Sequence, residues 1–329
     1  MPQRLAEIED WLRRGQGWEG VRLAPASSDA SFRRYWRAGH DGVSHIVMDA
    51  PPEHEDCGPW LKVGAALSAI GLNVPRVLAQ DLTRGFVLMG DLGSQSYLAA
   101  LHAASVERLY GDALSALAVL QAAGPGEGEL PPYDHALLHR EMALFRDWYL
   151  LKHRGLVLTA ADEALLADSF RWLAEAALAQ PRVCVHRDYH SRNLMVTPAH
   201  NPGILDFQDA VFGPVTYDLA SLLKDCYIAW PRARVLDWVR GYHELALQSG
   251  ILDPESPQAD AARFIRDFDL MGVQRHLKAS GIFARLYHRD GKPGYLPDIP
   301  RTLDYILEVA PLYPELGPLA ALIERHKDW

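Results

Sequence analysis

Residues 185–210, VHRDYHSRNLMVTPAHNPGILDFQDA, constrain this chain more than any other stretch. Short apolar runs alternate there with polar residues that have no natural place inside a strand. Residues 183–186, 194–197 and 203–205 read as short strands. His186, Asp188, Asn193 and Asp206 stand between and after them in fixed order. A lone Asp in a loop is ordinarily a cap or turn residue, and a lone His after a strand is ordinarily a satisfied core group. Here Asn193 follows Asp188 by five residues, and Asp206-Phe207 follows a strand eighteen residues on. Caps and turns do not require that combination. The chain contains its own control in His288-Arg289-Asp290, which repeats the His-Arg-Asp triplet with Tyr295 where the Asn would stand and no strand ending in Asp-Phe behind it. That copy reads as a loop.

Around this segment the texture changes once. Leu5, Ile8 and Leu12 predict a short N-terminal helix ending near Gly15 and Gly17. Residues 32–38 and 44–49 predict a hairpin, 59–70 a helix and 85–89 another strand. From Ser96 onward the pattern is helical. Leu114, Leu117 and Gln121 mark one helix; Leu166, Phe170, Leu173 and Ala177 mark another, with Thr159 as its N-cap and Pro181 as its stop. Residues 125–133, PGEGELPPY, read as a surface loop, and residues from Tyr217 on as mostly helical, broken at PRARV, DPESP and DGKPGYLPDIP. No internal repeat is visible. The expected class is α+β, with a small β-rich N-terminal domain over residues 1–91 and a large, mainly α-helical domain over 92–329.

Charge and cysteine content narrow the function classes. The formal net charge of −9 argues against bulk nucleic-acid binding, which rests on many Lys and Arg contacts to phosphate. Cys57, Cys184 and Cys226 are far apart and form no Cys-x-x-Cys pair, so neither a zinc site nor a disulfide framework is expected. The N-terminal MPQRLAEIEDWLRR lacks an apolar signal core and no long apolar run follows, so no membrane span is expected. A cytoplasmic monomer acting on a small molecule fits these features.

Transfer of a phosphoryl group from ATP needs a carboxylate to orient the attacking hydroxyl and oxygen ligands to hold magnesium against the phosphates. In the segment above, Asp188 fits the base. Asn193 offers an amide oxygen to the metal, and Asp206 supplies its main carboxylate.

With PVTYDLASLL after it, this segment resembles the aminoglycoside phosphotransferase and choline kinase superfamily. The resemblance covers most of the chain and implies the two-lobed protein-kinase-like fold, with Asp218 capping a helix and hydrogen-bonding the catalytic loop. A narrower resemblance runs through SSDASFRRYWR (27–37), IVMDAPPEHEDC (46–57), KDCYIAWPR (224–232) and QRHLKASGIFARLYHRDGKPGYL (274–296). These segments are similar to the bacterial anomeric sugar kinases of cell-wall recycling. That likeness implies phosphorylation of the C1 hydroxyl of N-acetylmuramate and N-acetylglucosamine.

The chain departs from the kinase pattern in two places. The turn expected to cover the phosphates has no glycine; Ser27, Ser28 and Ser31 leave room for backbone N–H groups and add hydroxyl donors. The strand expected to carry a Lys reads His45-Ile46-Val47-Met48-Asp49, while Lys62 stands on the next helix. A swapped pair, Asp49 with Lys62, is one solution, with Lys62 or Arg33 and Arg34 reaching the phosphates. Backbone groups near Met89, Asp91 and Leu92 are expected to bind adenine. For the acceptor, Arg187, His190, Asp225, Tyr227, Trp230, Arg275, His276 and Lys278 are candidates, the cations for a lactyl carboxylate and the aromatics for a sugar face. Two other classes stay open: a kinase of another alcohol, or a nucleotide-binding pseudokinase regulator. A hydrolase using His186, Asp188 and His190 gives Asn193 no role.

Overall fold

The computed structural model describes residues 2–28 and 32–327. In chain order the elements are α1 (Pro2–Gln16), β1 (Leu23–Ser28), β2 (Arg34–His40), β3 (Val43–Asp49), α2 (Gly58–Ala69), β4 (Val77–Asp81), β5 (Phe86–Gly90), α3 (Tyr97–Ala100), α4 (Val106–Ala123), α5 (His135–Leu144), α6 (Ala160–Leu178), β6 (Arg182–Val185), β7 (Leu194–Met195), β8 (Gly203–Ile204), β9 (Val211–Pro214), α7 (Tyr217–Leu223), α8 (Arg232–Gln248), α9 (Ala261–Asp290), α10 (Ile299–Val309) and α11 (Gly317–His326). They form two compact units, Met1–Ser96 with Leu194–Asp209, and Tyr97–Asn193 with Ala210–Trp329. The first therefore extends past residue 91 and takes in residues of the 185–210 segment.

The first unit is an antiparallel sheet in the order β1-β2-β3-β5-β4. Its register sets Trp36 opposite Val47 and Val47 opposite Leu88. The predicted helix forms and lays Ile8, Trp11 and Leu12 against Ala38, Val47, Phe86 and Leu88. The edge strands β1 and β4 were not legible in the sequence: β1 is LAPASS and β4 is VLAQD, neither with a regular apolar alternation.

The second unit is helical around the 30-residue α9. Thr159 caps α6 in a reciprocal capping box with Asp162. Helix α5 continues without a break into a π-helical segment, Phe145–His153, which packs on α9. The close approach depends on Gly281, because a Cβ there would overlap the carbonyl of Leu144. Sequence reading made His288-Arg289-Asp290 a loop. It is instead the last turn of α9, which ends at Gly291 in the left-handed conformation (φ 65°). The PRARV segment starts a helix rather than breaking one. No helix among the described residues is long and apolar enough to cross a membrane.

Candidate active site

Asp188 sits on a loop that the second unit holds from several sides. Strand β6 pairs with β9 and delivers the chain to His186. The Asp218 carboxylate, in the first turn of α7, accepts from the backbone N–H of His186 at 2.6 Å and of Arg187 at 3.0 Å. This clamp holds Arg187 at φ 75°, a conformation that a non-glycine residue adopts only under constraint. The N-cap position of α7 belongs to Thr216, so Asp218 binds the loop without being the cap. Beyond Asp188, the Asp225 carboxylate accepts from the N–H of Ser191 and of Tyr227, each at 2.9 Å. The Asn193 amide donates to the Asp188 carbonyl at 3.0 Å, which closes the loop on itself and orients the amide. Tyr189 is fully buried and anchors the loop through its hydroxyl to Ala113 O at 2.8 Å.

Three cations come from two elements. Arg187 belongs to the loop; Arg275 and Lys278 stand three residues apart on α9, so they share a face. Glu141 of α5 gathers two of them. Its carboxylate is 2.5 Å from Arg187 Nη2 and 3.0 Å from Lys278 Nζ, and it also accepts from Tyr133 and, at 3.3 Å, from Gln274. Lys278 donates as well to the Tyr217 hydroxyl at 3.0 Å. Burial pushes the Glu141 carboxyl upward, but Lys278 and Arg187 outweigh it and hold it below its ordinary value. Burial likewise opposes ionisation of Asp188, yet Lys278, His190, Arg275 and Arg187 pull it down to about 2. Asp218 behaves oppositely: burial dominates its two backbone hydrogen bonds and raises it to about 7. The result is an ionised, half-buried Asp188 carboxylate among fixed positive charges.

In the first unit, Asp206 has φ 65° and accepts from Gln208 Nε2 at 2.7 Å. Its neighbour Phe207 is fully buried and packs on Trp60 of α2, over Gly64, where a Cβ would come within 3.0 Å of the ring. Arg33 is buried, 3.1 Å from Glu55, and the charges of Glu55, Asp206 and Asp209 act on it. Asp49 is held by Arg4 of α1, a partner that sequence reading did not foresee, and Lys62 is exposed on α2. Met89 is buried in β5. The Asp91 side chain is engaged by Arg37 at 2.6 Å, by Ser44 at 2.5 Å and by Gly93 N at 2.9 Å. Leu92 packs over Gly203. Ser31 and the side chains of Ser27 and Ser28 lie outside the described residues.

The phosphotransferase enzyme family model matches residues 22–262. The chain belongs to that family. This phosphotransferase is 48% identical over 97% of its length to the N-acetylmuramate/N-acetylglucosamine kinase of Pseudomonas putida, covering 96% of that protein. It is 49% identical to the like-named kinase of Pseudomonas aeruginosa, with the same coverage of 97% and 96%. Among solved structures, an ethanolamine kinase of Plasmodium vivax shares its fold at 10% identity, with a TM-score of 0.63 over 91% of this chain and 88% of that one.

The acceptor candidates of the phosphotransferase separate by position. His190, Arg187, Arg275 and Lys278 gather around Asp188, close enough for each charge to shift its ionisation. Tyr227 stands edge-on to His190 with the Arg192 guanidinium 3.9 Å from its ring centre. Asp225 is spent on backbone N–H groups. His276 points to another side of α9, stacked on Tyr305 and bonded to Lys224 O at 2.9 Å; burial drives it well below its ordinary value. Trp230 donates to the Tyr110 hydroxyl at 3.2 Å and packs on Trp238. Glu141, Tyr133, Gln274 and Tyr217 were missed in the sequence. One signal was present: Leu138, Met142 and Phe145 mark the buried face of that helix, so Glu141 is a carboxylate at a core position. Tyr133 was read as part of a surface loop, but its ring is buried against Gly213, where a Cβ would come within 2.7 Å.

Proposed function

We propose that this phosphotransferase uses ATP and Mg²⁺ to phosphorylate the C1 hydroxyl of N-acetylmuramate and N-acetylglucosamine. The observation that carries the reaction type is Asp188, an ionised carboxylate on a loop clamped at both ends and surrounded by cations. The acceptor follows from the names of the relatives at 48% and 49% identity.

Asp188 accepts a hydrogen bond from the sugar hydroxyl and aims its oxygen at the terminal phosphorus of ATP. As the O–P bond forms and the bond to ADP breaks, the proton passes to an Asp188 oxygen. A carboxylate held near 2 is a weak base, so its main contribution is orientation, which suits a loose transition state. An anomeric hydroxyl is more acidic than an ordinary alcohol and demands less. Arg187 and Lys278, fixed by Glu141, supply preorganised positive charge near the transferring group.

For the metal we assign, on their order in the sequence motif, the amide oxygen of Asn193 and the carboxylate of Asp206, the hard oxygen ligands that Mg²⁺ takes. No cluster of three or more His, Cys, Asp or Glu is arranged to hold a metal among the described residues, so further oxygens would come from phosphates and water. When bound, Mg²⁺ neutralises charge on the phosphate oxygens. Arg33 is the cation we assign to the phosphates in place of a strand Lys, and residues 89–92 the backbone we assign to adenine. The three cysteines are free and buried. That suits a reducing compartment, and we place the enzyme in the cytoplasm as a monomer.

The test is to incubate the protein with ATP, Mg²⁺ and a panel of both sugars, choline and an aminoglycoside, following ADP release. Turnover with the two sugars and a phosphorus NMR signal coupled to the anomeric proton are expected. A phosphate ester at any other carbon, or turnover on the other acceptors alone, overturns the assignment.

A further inference from the structure

Two cations on one face of α9 are treated very differently by their surroundings. Lys278 is matched: Glu141 lies 3.0 Å from its ammonium and the Tyr217 hydroxyl lies 3.0 Å away. Arg275, one turn earlier, is only 6% exposed and has no carboxylate within ion-pair distance among the described residues. Among the described residues it makes a weak hydrogen bond, from Nη1 to Cys226 Sγ at 3.6 Å, and its Nε is buried with no partner. A guanidinium presents five donors in a planar fork and is costly to bury with those donors unspent.

The neighbouring anions do not fill this vacancy. Both oxygens of Asp225 already accept from the N–H groups of Ser191 and Tyr227. Asp188 feels the Arg275 charge but stands beyond ion-pair distance, and it is the group assigned to the acceptor hydroxyl. A second buried group nearby is also short of a partner: Nδ1 of His190, which is 9% exposed. Tyr227, next to the Cys226 that Arg275 touches, stands edge-on to His190, whose backbone N–H donates to the Asp188 carbonyl at 3.0 Å, so the unspent donors lie beside the proposed reacting hydroxyl. A planar, two-oxygen anion on the acceptor would satisfy the fork.

Resting on the acceptor assignment above, we propose that Arg275 is the specificity residue that binds the lactyl carboxylate of N-acetylmuramate, the group that N-acetylglucosamine lacks. His190, a polar group in the same setting, serves the uncharged part of the sugar common to both. Sequence position gives Arg275 no distinction from Lys278; only the missing counter-ion does.

The experiment compares kcat/KM for the two sugars in wild type, Arg275→Gln and Arg275→Lys, and adds the methyl ester of N-acetylmuramate as a third acceptor. A charged hydrogen bond of this kind is worth about 10- to 100-fold in discrimination. Arg275→Gln is expected to lower the N-acetylmuramate to N-acetylglucosamine ratio by about that factor, mainly through KM, with Arg275→Lys in between. The methyl ester is expected to lose a similar factor in wild type and little more in Arg275→Gln, a comparison that does not depend on the variant's stability. Equal losses on both sugars would make Arg275 part of phosphoryl transfer and overturn the proposal, as would an ester that wild type uses as well as the acid. Wild type that turns over neither sugar would instead overturn the acceptor assignment itself.

Discussion

Replacing Glu141 by Gln tests the electrostatic frame of the site most directly. The substitution keeps the size of the side chain and removes a carboxylate shared by Arg187 and Lys278, at 2.5 and 3.0 Å. Glu141 is 4% and Lys278 is 7% exposed, so water cannot replace the lost charge without rearrangement. Orphaning a buried cation costs about 3–5 kcal/mol. At about 2–4 °C per kcal/mol for a folding unit of this size, the melting temperature is expected to fall by about 10 °C. Turnover should fall too, by about tenfold or more, because the cations lose their fixed position near Asp188. The double variant Glu141→Gln, Lys278→Met should recover part of the stability but not the turnover, since it removes the orphan rather than restoring the pair. The Glu141 carboxyl is held below its ordinary value. Its stabilisation is thus present above the unfolded value of about 4.3 and is lost as pH falls through the depressed folded value. The gap between wild type and variant should therefore narrow in acid. Thermal melts at several pH values and steady-state kinetics provide the assay. A melting temperature within about 2 °C of wild type, in a range where one or two kcal/mol would show, would refute the counter-ion argument.

Two further outcomes follow from the loop. Asp188→Asn should lose about 100-fold or more in kcat while nucleotide binding, measured by calorimetry, persists; since Asp188 is depressed to about 2, the stability its charge provides should be complete above about pH 4 and disappear toward pH 2. For Asp218, raised to about 7 by burial, the sign reverses: its contribution is full below the unfolded value of about 3.9 and declines as pH rises through the folded value. Urea midpoints should thus drop between pH 5 and 8 more steeply in wild type than in Asp218→Asn. That variant should also be weaker at pH 5 by about 1–3 kcal/mol, because one backbone N–H loses its acceptor. A parallel pH dependence in the two proteins would contradict the assignment.

Much of this protein is written locally. The apolar spacing of Ile8 and Leu12, the N-cap at Thr159 and the order of Asp188, Asn193 and Asp206 are short-range patterns, and each led to the element or loop that the structure contains. The α+β class and the loop bearing Asp188 were legible for that reason. The strands β1, β4 and β9 were not, because edge and two-strand pairings need little alternation of their own. The counter-ions of the site were hidden for a different reason. Gln274 meets Glu141 across 133 residues of chain, and Arg187 meets it across 46. Nothing in local spacing distinguishes Glu141 from a surface carboxylate except its place on an apolar face. The same limit applied to α9: Arg275, His276 and Lys278 are near neighbours in sequence, but helical geometry sends His276 to Tyr305, Lys278 to Glu141 and Arg275 to no carboxylate among the described residues. The sequence by itself determined the class of chemistry, because Asp188 and its spacing partners are read within one segment. Which charges surround Asp188, and which of them stays unmatched, was decided only when packing of α5, α7 and α9 brought distant residues into a low-dielectric interior, where a missing partner has a cost.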